Sequence, residues 1–597
     1  MNTRTRTFSL LAGIGLTGAL LAGCSATAVA GSAFGTSTAS SSASSTADTD
    51  AGTTVEAVDT TLDSTTAQIL AANLAVHATN QTADTERATV TLTGTSAEVL
   101  GDGVSVSGST VTITDAGTYV LTGSLTDGQV VVDTTAEGTV RLVLDGVDIS
   151  SSTGSAITVT AAADVVVELA DGTSSSLSDT ASYAEDAESN AALYSAADLT
   201  ITGTGSLDVQ GNGNDGITGK DGLVIVSGAI TVTAADDGIR GKDYLVIEGG
   251  TLDVTAGGDG LTSDNEDDAT AGFISISGGD ITVDSQGDAV VAITDVVVTG
   301  GSLDLTAGGG SSAELAADAS AKGIKAGIVI DLEGGDVTID SADDAVHSDT
   351  WVHATSGTLT VATGDDGLHA DSAMLLDGAA VIVTRSYEGI ESADIRITGG
   401  DIAVTASDDG MNASGGTGTD SDGQSTGTTA GDMRGGGMGD DGSAITMSGG
   451  TVVIDADGDG FDSNGSATIS GGSLVVNGPE NDGNGALDVN GTLIVTGGEV
   501  LATGSAGMAV SPDASSTEGW LSATLGNTLA AGTEVTITSE DGTVLTSFTT
   551  TKSIASIVYA GPGLTAGSPY TVSASGTTIA SVTAGEAAAS RGMGGRG

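Results

Sequence analysis

Residues 214–265 read NDGITGKDGLVIVSGAITVTAADDGIRGKDYLVIEGGTLDVTAGGDGLTSDN. One unit recurs through this stretch. An acidic residue and a glycine lead into an aliphatic residue, a polar position and a second Asp, and then into β-branched runs parted by a glycine turn. Asp215, Asp237 and Asp259 stand 22 residues apart, the same step separates Asp344, Asp366 and Glu388, and Asp409 follows after 21. A fixed period of this size, filled with strand-forming residues, marks a solenoid whose units bury their apolar faces only by stacking on their neighbours. Within a unit, Leu245 and Ile247 point one way, Gly249-Gly250 turns the chain, and Leu252 and Val254 alternate again. The fold expected is all-β, a right-handed parallel β-helix of about 22 residues per coil.

Longer steps fit the same period. Asp259 to Asp288 is 29 residues, Asp288 to Lys322 is 34 and Asp409 to Asp459 is 50. The surplus falls at turns, where insertions leave a stack intact, and the largest is a glycine-rich loop at 414–442. Residues 201–510 are therefore read as the solenoid. The irregular strands of 86–200 are read as an N-terminal β section that caps it, residues 511–583 as a small C-terminal β cap, and 584–597 as a disordered tail.

The N-terminus has the pattern of an export signal, with Arg4 and Arg6 ahead of an apolar run over 8–22. Leu21-Ala22-Gly23-Cys24 resembles a bacterial lipobox, so residues 1–24 are expected to be a lipoprotein signal peptide and Cys24, the chain's one cysteine, its lipidation site. Residues 25–85, rich in Ser, Thr and Ala, are expected to be a linker, with a weak helical pattern over 65–78. The chain is thus expected to be exported and held at the cell membrane by its lipid anchor, facing the exterior.

Composition narrows the function. A net charge of −64 repels phosphate backbones, which excludes nucleic acid as a natural partner. Hydrophobic residues are 39% of the chain but aromatics only 2%, so the core should be long, thin and aliphatic, without room for a buried catalytic cavity. Any site must lie on the outer face.

There the repeated acids are the candidates. Equivalent residues of stacked units lie about 4.8 Å apart, the strand spacing. Two unit charges at that distance repel by about 0.9 kcal/mol in water and about 3.5 kcal/mol at an effective dielectric near 20. Rows of Asp therefore call for raised pKa values or bound cations, and calcium, which accepts six to eight oxygens in loose geometry, is the simpler answer. The candidate ligands are Asp215, Asp237 with Asp243, Asp259 with Asp264, Asp344 with Asp349, Asp366 with Asp371, and Asp409, Asp459 and Asp462. The competing reading is turn chemistry: Asp caps its own turn and Gly supplies a positive φ.

Three residues beyond each leading position stand Thr218, Arg240, Thr262, Lys325, His347, His369, Glu391, Asn412 and Asp462, which should form an outward polar column. His347 and His369 would stack directly. Such a pair can bind a transition metal, although exposed histidines beside Asp more often serve as surface residues. Arg240, Lys242 and Lys325, with Lys322, stand out because bases are scarce; they could hold a uronate carboxylate or simply compensate the Asp rows.

The stretch NAALYSAADLTITGTGSLDVQGNGNDGITGKDGLVIVSGAITVTAADDGIRGKDYLVIEGGTLDVTAGGDGLTSDN at 190–265 resembles the bacterial family of carbohydrate-binding β-helix proteins. GTYVLTGSL at 117, TVRLVLDGVDI at 139 and LTSFTTTKSIASIVYAGPGLTAGSPYTVSA at 545 are similar to its two ends, so the likeness runs from about 90 to 575. The resemblance implies a pectate-lyase-like fold, Ca2+ as cofactor and calcium-dependent binding of polygalacturonate. Ala289 and Ala345 in place of Gly, and Lys322 in place of the acid, depart from the pattern. The expected function is non-catalytic binding of acidic polysaccharide at the cell surface, a role that needs few aromatic platforms; Trp351, Tyr244 and Tyr387 are the aromatics that stand out. The alternatives are a polysaccharide lyase with Arg240, Arg385 or Lys325 as base, and a purely structural envelope or adhesion solenoid.

Overall fold

The computed structural model describes residues 60–77, 86–316, 319–415 and 440–588. The signal segment with Cys24, most of the 414–442 loop and the end of the tail lie outside the described residues.

Alternation of side chains builds each unit. In Thr251–Ala256, Leu252, Val254 and Ala256 are buried, while Thr251, Asp253 and Thr255 are exposed. Each unit contributes three strands, for example Ile239–Gly241, Tyr244–Ile247 and Thr251–Ala256. Every one pairs in parallel with the strand at the same place in the next unit. Ile239 lies opposite Leu261, Leu245 opposite Ile274, and Leu252 opposite Ile281. Two large sheets of mainly parallel strands result, of 16 and 30 strands. The larger unites the second and third strands of the units because Ala373–Arg385 and Asp394–Ala406 run unbroken through both places. Ile239, Leu245, Ile247, Leu252 and Val254 are all fully buried and belong to one aliphatic core running from Ala88 to Ala560. About five aliphatic residues per unit therefore point inward, as the alternation requires.

Register explains the uneven spacing. Leu261 faces Val290, and Val290 faces Ile324, although the intervals are 29 and 34 residues. The additional residues leave the pairing at turns. The same parallel pairing already links Thr110–Ile113, Gln129–Asp133, Ile157–Ala161, Ala191–Ser195 and Asp215–Gly219 in succession. No break in pairing marks residue 200. At the far end Glu499–Gly504 meets Ile554–Ala560 antiparallel, and a four-stranded antiparallel sheet of residues 534–583 has a core of its own around Leu525, Val535, Ile537 and Val572.

The glycine after each leading acid has a different cause from the one its turn position suggests. Gly238 has an ordinary negative-side backbone, but a Cβ there would sit 2.3 Å from Val254 Cγ1 and 2.6 Å from the Gly260 carbonyl oxygen. Lack of room excludes a side chain. Positive φ is needed instead at the second turn, where Gly250 has φ +101° and a Cβ would approach the Gly228 carbonyl oxygen to 2.8 Å.

The described part of the 25–85 segment is more than a spacer. Thr66–Ala72 forms a helix whose Ile69 is buried against Val297, Ile328 and Val329. Leu74 then packs beside Val224, Tyr244, Val246 and Phe273, and its amide donates to the Thr270 carbonyl at 2.6 Å. The reason lies in the second strands, where outward positions such as Val224, Val246 and Val297 are apolar and need a cover. Among the described residues no helix is long and apolar enough to cross a membrane.

Gly250→Ala is expected to lower stability by about 1–2 kcal/mol from the left-handed backbone alone, read as a lower midpoint of urea unfolding. Ile69→Asp should detach the 60–77 segment, so that limited proteolysis cuts there sooner than in the parent chain.

Candidate functional site

The leading acids form a row, and the row is largely buried. Asp215, Asp288, Asp344 and Asp366 all retain less than a tenth of their accessibility. Backbone hydrogen bonds carry the pairing straight through the turns: the Gly216 amide donates to the Asp237 carbonyl, and the Gly238 amide to that of Asp259. Carboxylates add a second link. Asp237 Oδ1 accepts from the Asp259 amide at 3.0 Å, Asp259 Oδ1 from the Asp288 amide at 2.8 Å, and Asp344 Oδ1 from the Asp366 amide at 3.0 Å. Asp409 Oδ1 accepts from the Asp459 amide at 2.6 Å and Asp459 Oδ1 from that of Gly485 at 2.5 Å. One oxygen of each of these acids thus ties successive units together, and the other is left for the outward column.

That column is as the repeat requires. Thr218, Arg240, Thr262, Val291, Lys325, His347, His369, Glu391, Asn412, Asp462 and Asp488 are paired one to the next. Asp215 Oδ2 accepts from Thr218 Oγ1 at 2.8 Å and lies 3.9 Å from Arg240 Nη1. The second acids of the units turn toward the same column. Asp264 pairs with Arg240, Asp349 Oδ1 lies 3.3 Å from His347 Nε2, and Asp371 Oδ1 lies 3.2 Å from His369 Nε2. Asp243 instead accepts from Asn265 Nδ2 at 2.5 Å. Lys242 reaches Asp267 at 3.7 Å, and Lys322 Nζ lies 2.7 Å from Asp343 Oδ2. Over residues 237–371 the chain's own bases therefore stand among the acids. Lys325 is half-buried in the column between Val291 and His347, and the His347 ring, with a smaller part from Lys325, holds Asp349 low.

The later units differ. Around Glu388, Asp409, Asp459, Asp462 and Asp488, no ion pair to a basic side chain is found among the described residues. Burial, reinforced by neighbouring acids, pushes the Glu388 and Asp462 carboxyls up to about 8 and that of Asp409 up to about 7. Burial also lifts Asp459 to about 6 and raises Asp488. Asn412 sits among them, donating from Nδ2 to Glu388 Oε2 at 3.0 Å, while its buried Oδ1 has no hydrogen-bond donor. In the earlier units burial and Asp237 raise Asp215 to about 7, and burial with Asp288 raises Asp259 to about 7.

Sequence spacing placed the leading row and the column, but not all of their members. Asp288 and Glu388 stood at leading positions of the repeat, and register adds Asp488, opposite Asp462. On the second face Asp331 is fully buried beside Thr66 and 3.4 Å from His353 Nδ1, and Asp295 accepts from Asn73 Nδ2 at 2.9 Å. No repeat motif signals these acids, because only tertiary contact with the helix of residues 66–72 buries them. Tyr244 is buried beneath the same segment and Trp351 packs beside Ile69, so of the three aromatics only Tyr387 stands exposed. Arg385 donates to Ser312 Oγ at 2.6 Å. A cavity of about 620 Å³ lies in the C-terminal sheet beside Glu540, Asp541 and Tyr570, far along the chain from the row.

A repeat of this kind, lined by acids and column residues, can be compared with known proteins. Residues 107–367 match the family of carbohydrate-binding domain-containing proteins. The match is narrower than the likeness read from 90 to 575, and it ends one residue beyond Asp366, before the later acids. A carbohydrate-binding domain-containing protein of Acetivibrio thermocellus is 39% identical over 137 residues, which is 22% of this chain and 48% of that protein. The chain thus spans about half the length of the curated relative it matches. A solved structure of the polysaccharide lyase-like protein from C. thermocellum, as its gadolinium derivative, aligns with 32% identity over 42% of this chain and 94% of that one, with a TM-score of 0.35.

The acid row sets a pH dependence. Asp215, Asp259, Asp409, Asp462 and Glu388 hold their protons more tightly folded than unfolded. Between their ordinary values near 4 and about 8 the folded state therefore binds more protons than the unfolded one, and stability falls as pH rises. In chelator, the melting temperature should be higher at pH 5 than at pH 8, and Asp462→Asn should flatten the slope.

Proposed function

We propose that this chain is a cell-surface protein that binds acidic polysaccharide through calcium held on its acid row, and that its stacked parallel strands form a right-handed β-helix. The observation that carries the reading is the cluster of Glu388, Asp409, Asp459, Asp462 and Asp488, with the unsatisfied Asn412 Oδ1 among them. Each of these groups is an oxygen acceptor, they are crowded by strand spacing, and no base of the described residues balances them. Calcium suits such a set because it takes several carboxylate and amide oxygens in flexible geometry and leaves positions for a ligand's own carboxylate. A polyuronate supplies carboxylates at regular intervals along its length. The row then works as a template on which calcium is shared between protein and polymer. The family match of residues 107–367 supports carbohydrate as the ligand class.

Binding without catalysis is favoured by the state of the basic residues. Arg240 is held by Asp264 and Asp215, and its guanidinium is pushed upward by them, which disfavours the neutral form a lyase base needs. Lipidation at Cys24 and export through the 1–24 signal place such a binder at the membrane exterior, with residues 25–59 as tether.

Affinity electrophoresis of the purified protein through gels containing polygalacturonate tests the reading. Retardation with calcium, lost in chelator and without ultraviolet absorbance from unsaturated uronides, is the expected result. Retardation with that absorbance would make the protein a lyase, and no retardation in any acidic glycan with calcium present would overturn the proposal.

A further inference from the structure

His347 and His369 occupy successive places in the column, with ring centroids 4.8 Å apart and planes 24° from parallel. Their sequence context suggests exposed surface residues, but their side chains keep only 17% and 23% of their accessibility. Each ring is gripped by two carboxylates of its own unit. His347 Nδ1 lies 2.8 Å from Asp344 Oδ2, and His369 Nδ1 lies 3.0 Å from Asp366 Oδ2. Their Nε2 atoms face Asp349 and Asp371 on the outer side. One ligand atom from each of Asp344, His347 and His369 falls within 4.8 Å of the others.

We propose that Asp344, His347 and His369 form a site for a first-row transition-metal dication of the zinc class, ligated by one ring nitrogen from each histidine and one Asp344 oxygen, with solvent in the fourth position. The donor set separates this site from the calcium row, since mixed imidazole and carboxylate donors suit zinc while calcium takes oxygen alone. A tetrahedral ion with bonds of about 2.0–2.1 Å spaces its ligands about 3.3 Å apart, so the 2.8 Å His347–Asp344 pair opens slightly and the His369 ring, within 4.8 Å of both, closes on the ion. Asp349 and Asp371 complete the arrangement by accepting the remaining Nε2–H of each ring, as outer carboxylates do for zinc-bound histidine.

Binding exchanges protons for the metal. Each ring releases its Nδ1 proton to solvent, keeps its Nε2 proton, and gives the Nδ1 lone pair to the ion. Lys322 Nζ, 3.2 Å from Asp344 Oδ2, stays within reach of Asp343 when Asp344 takes the metal. Lys325 precedes these two units in the column, and Glu391 follows them with its Oε2 3.5 Å from His369 Nδ1. Bound there, the ion staples one unit to the next. This inference stands apart from polysaccharide binding and is read from the metal alone.

Calorimetric titration of zinc into chelator-treated protein in excess calcium is the test. One zinc per chain is expected, with His347→Ala and His369→Ala each weakening it by more than about 100-fold, beyond the usual cost of losing an outer-shell partner. His77→Ala, in the N-terminal segment, should leave the affinity unchanged. X-ray absorption at the zinc edge on the unmodified protein should show imidazole scattering and nitrogen or oxygen neighbours at about 2.0–2.1 Å, whatever the variants do to folding. Absence of stoichiometric zinc in excess calcium, unchanged affinity in both histidine variants, or a spectrum without imidazole would overturn the site.

Discussion

Parallel pairing of each residue with its counterpart in the next unit is the constraint on which the molecule depends. It places like beside like at the strand spacing. For Leu245, Ile274 and Val296 this is an advantage, since their stacking makes a continuous aliphatic core from side chains too few per unit to bury themselves. For the leading acids the same geometry is a penalty. A row of carboxylates held by the backbone register cannot separate to relieve its repulsion.

The chain meets that penalty in different ways along its length. At Asp237, Asp259, Asp344, Asp409 and Asp459, one oxygen of the acid accepts a backbone amide of the following unit. In the units between 237 and 371, Arg240, Lys322, His347 and His369 supply positive charge inside the row and beside it. Asp344, next to Lys322 and His347, is accordingly held far below the ordinary range. Burial and the surrounding acids hold the carboxyls of Glu388, Asp409 and Asp462 well above it. The difference is set group by group: Asp344 has Lys322 and His347 beside it, whereas burial raises Asp215, Asp259 and Asp366 to about 7 in the same earlier units.

The second face follows another logic. Its outward positions are partly apolar, and the 60–77 segment covers them with Ile69 and Leu74. That cover also shuts Asp295, Asp331 and His353 away from water, so an acid's environment is set there by what packs over it and not by its neighbours in the stack. Burial pushes the Asp331 carboxyl up, against the opposing Thr66 hydroxyl of the covering segment.

How much was legible in the sequence depends on whether a feature repeats. The spacing of Asp215, Asp237 and Asp259 determined the parallel register, the inward aliphatics, the acid row and the stacking of His347 on His369, because a period in sequence becomes a neighbour in space. Exceptions to the period stayed hidden. The sequence by itself could not show that Asp264, Asp349 and Asp371 turn toward the column's own bases, nor that Gly238 answers to the crowding of Val254 and not to a turn angle. Nor could it show that Tyr244 lies beneath a distant segment, because that contact joins residues 167 apart, His77 and Tyr244, with no shared repeat. Tertiary structure decided those points, since they depend on which side chains meet across turns and between segments of different period.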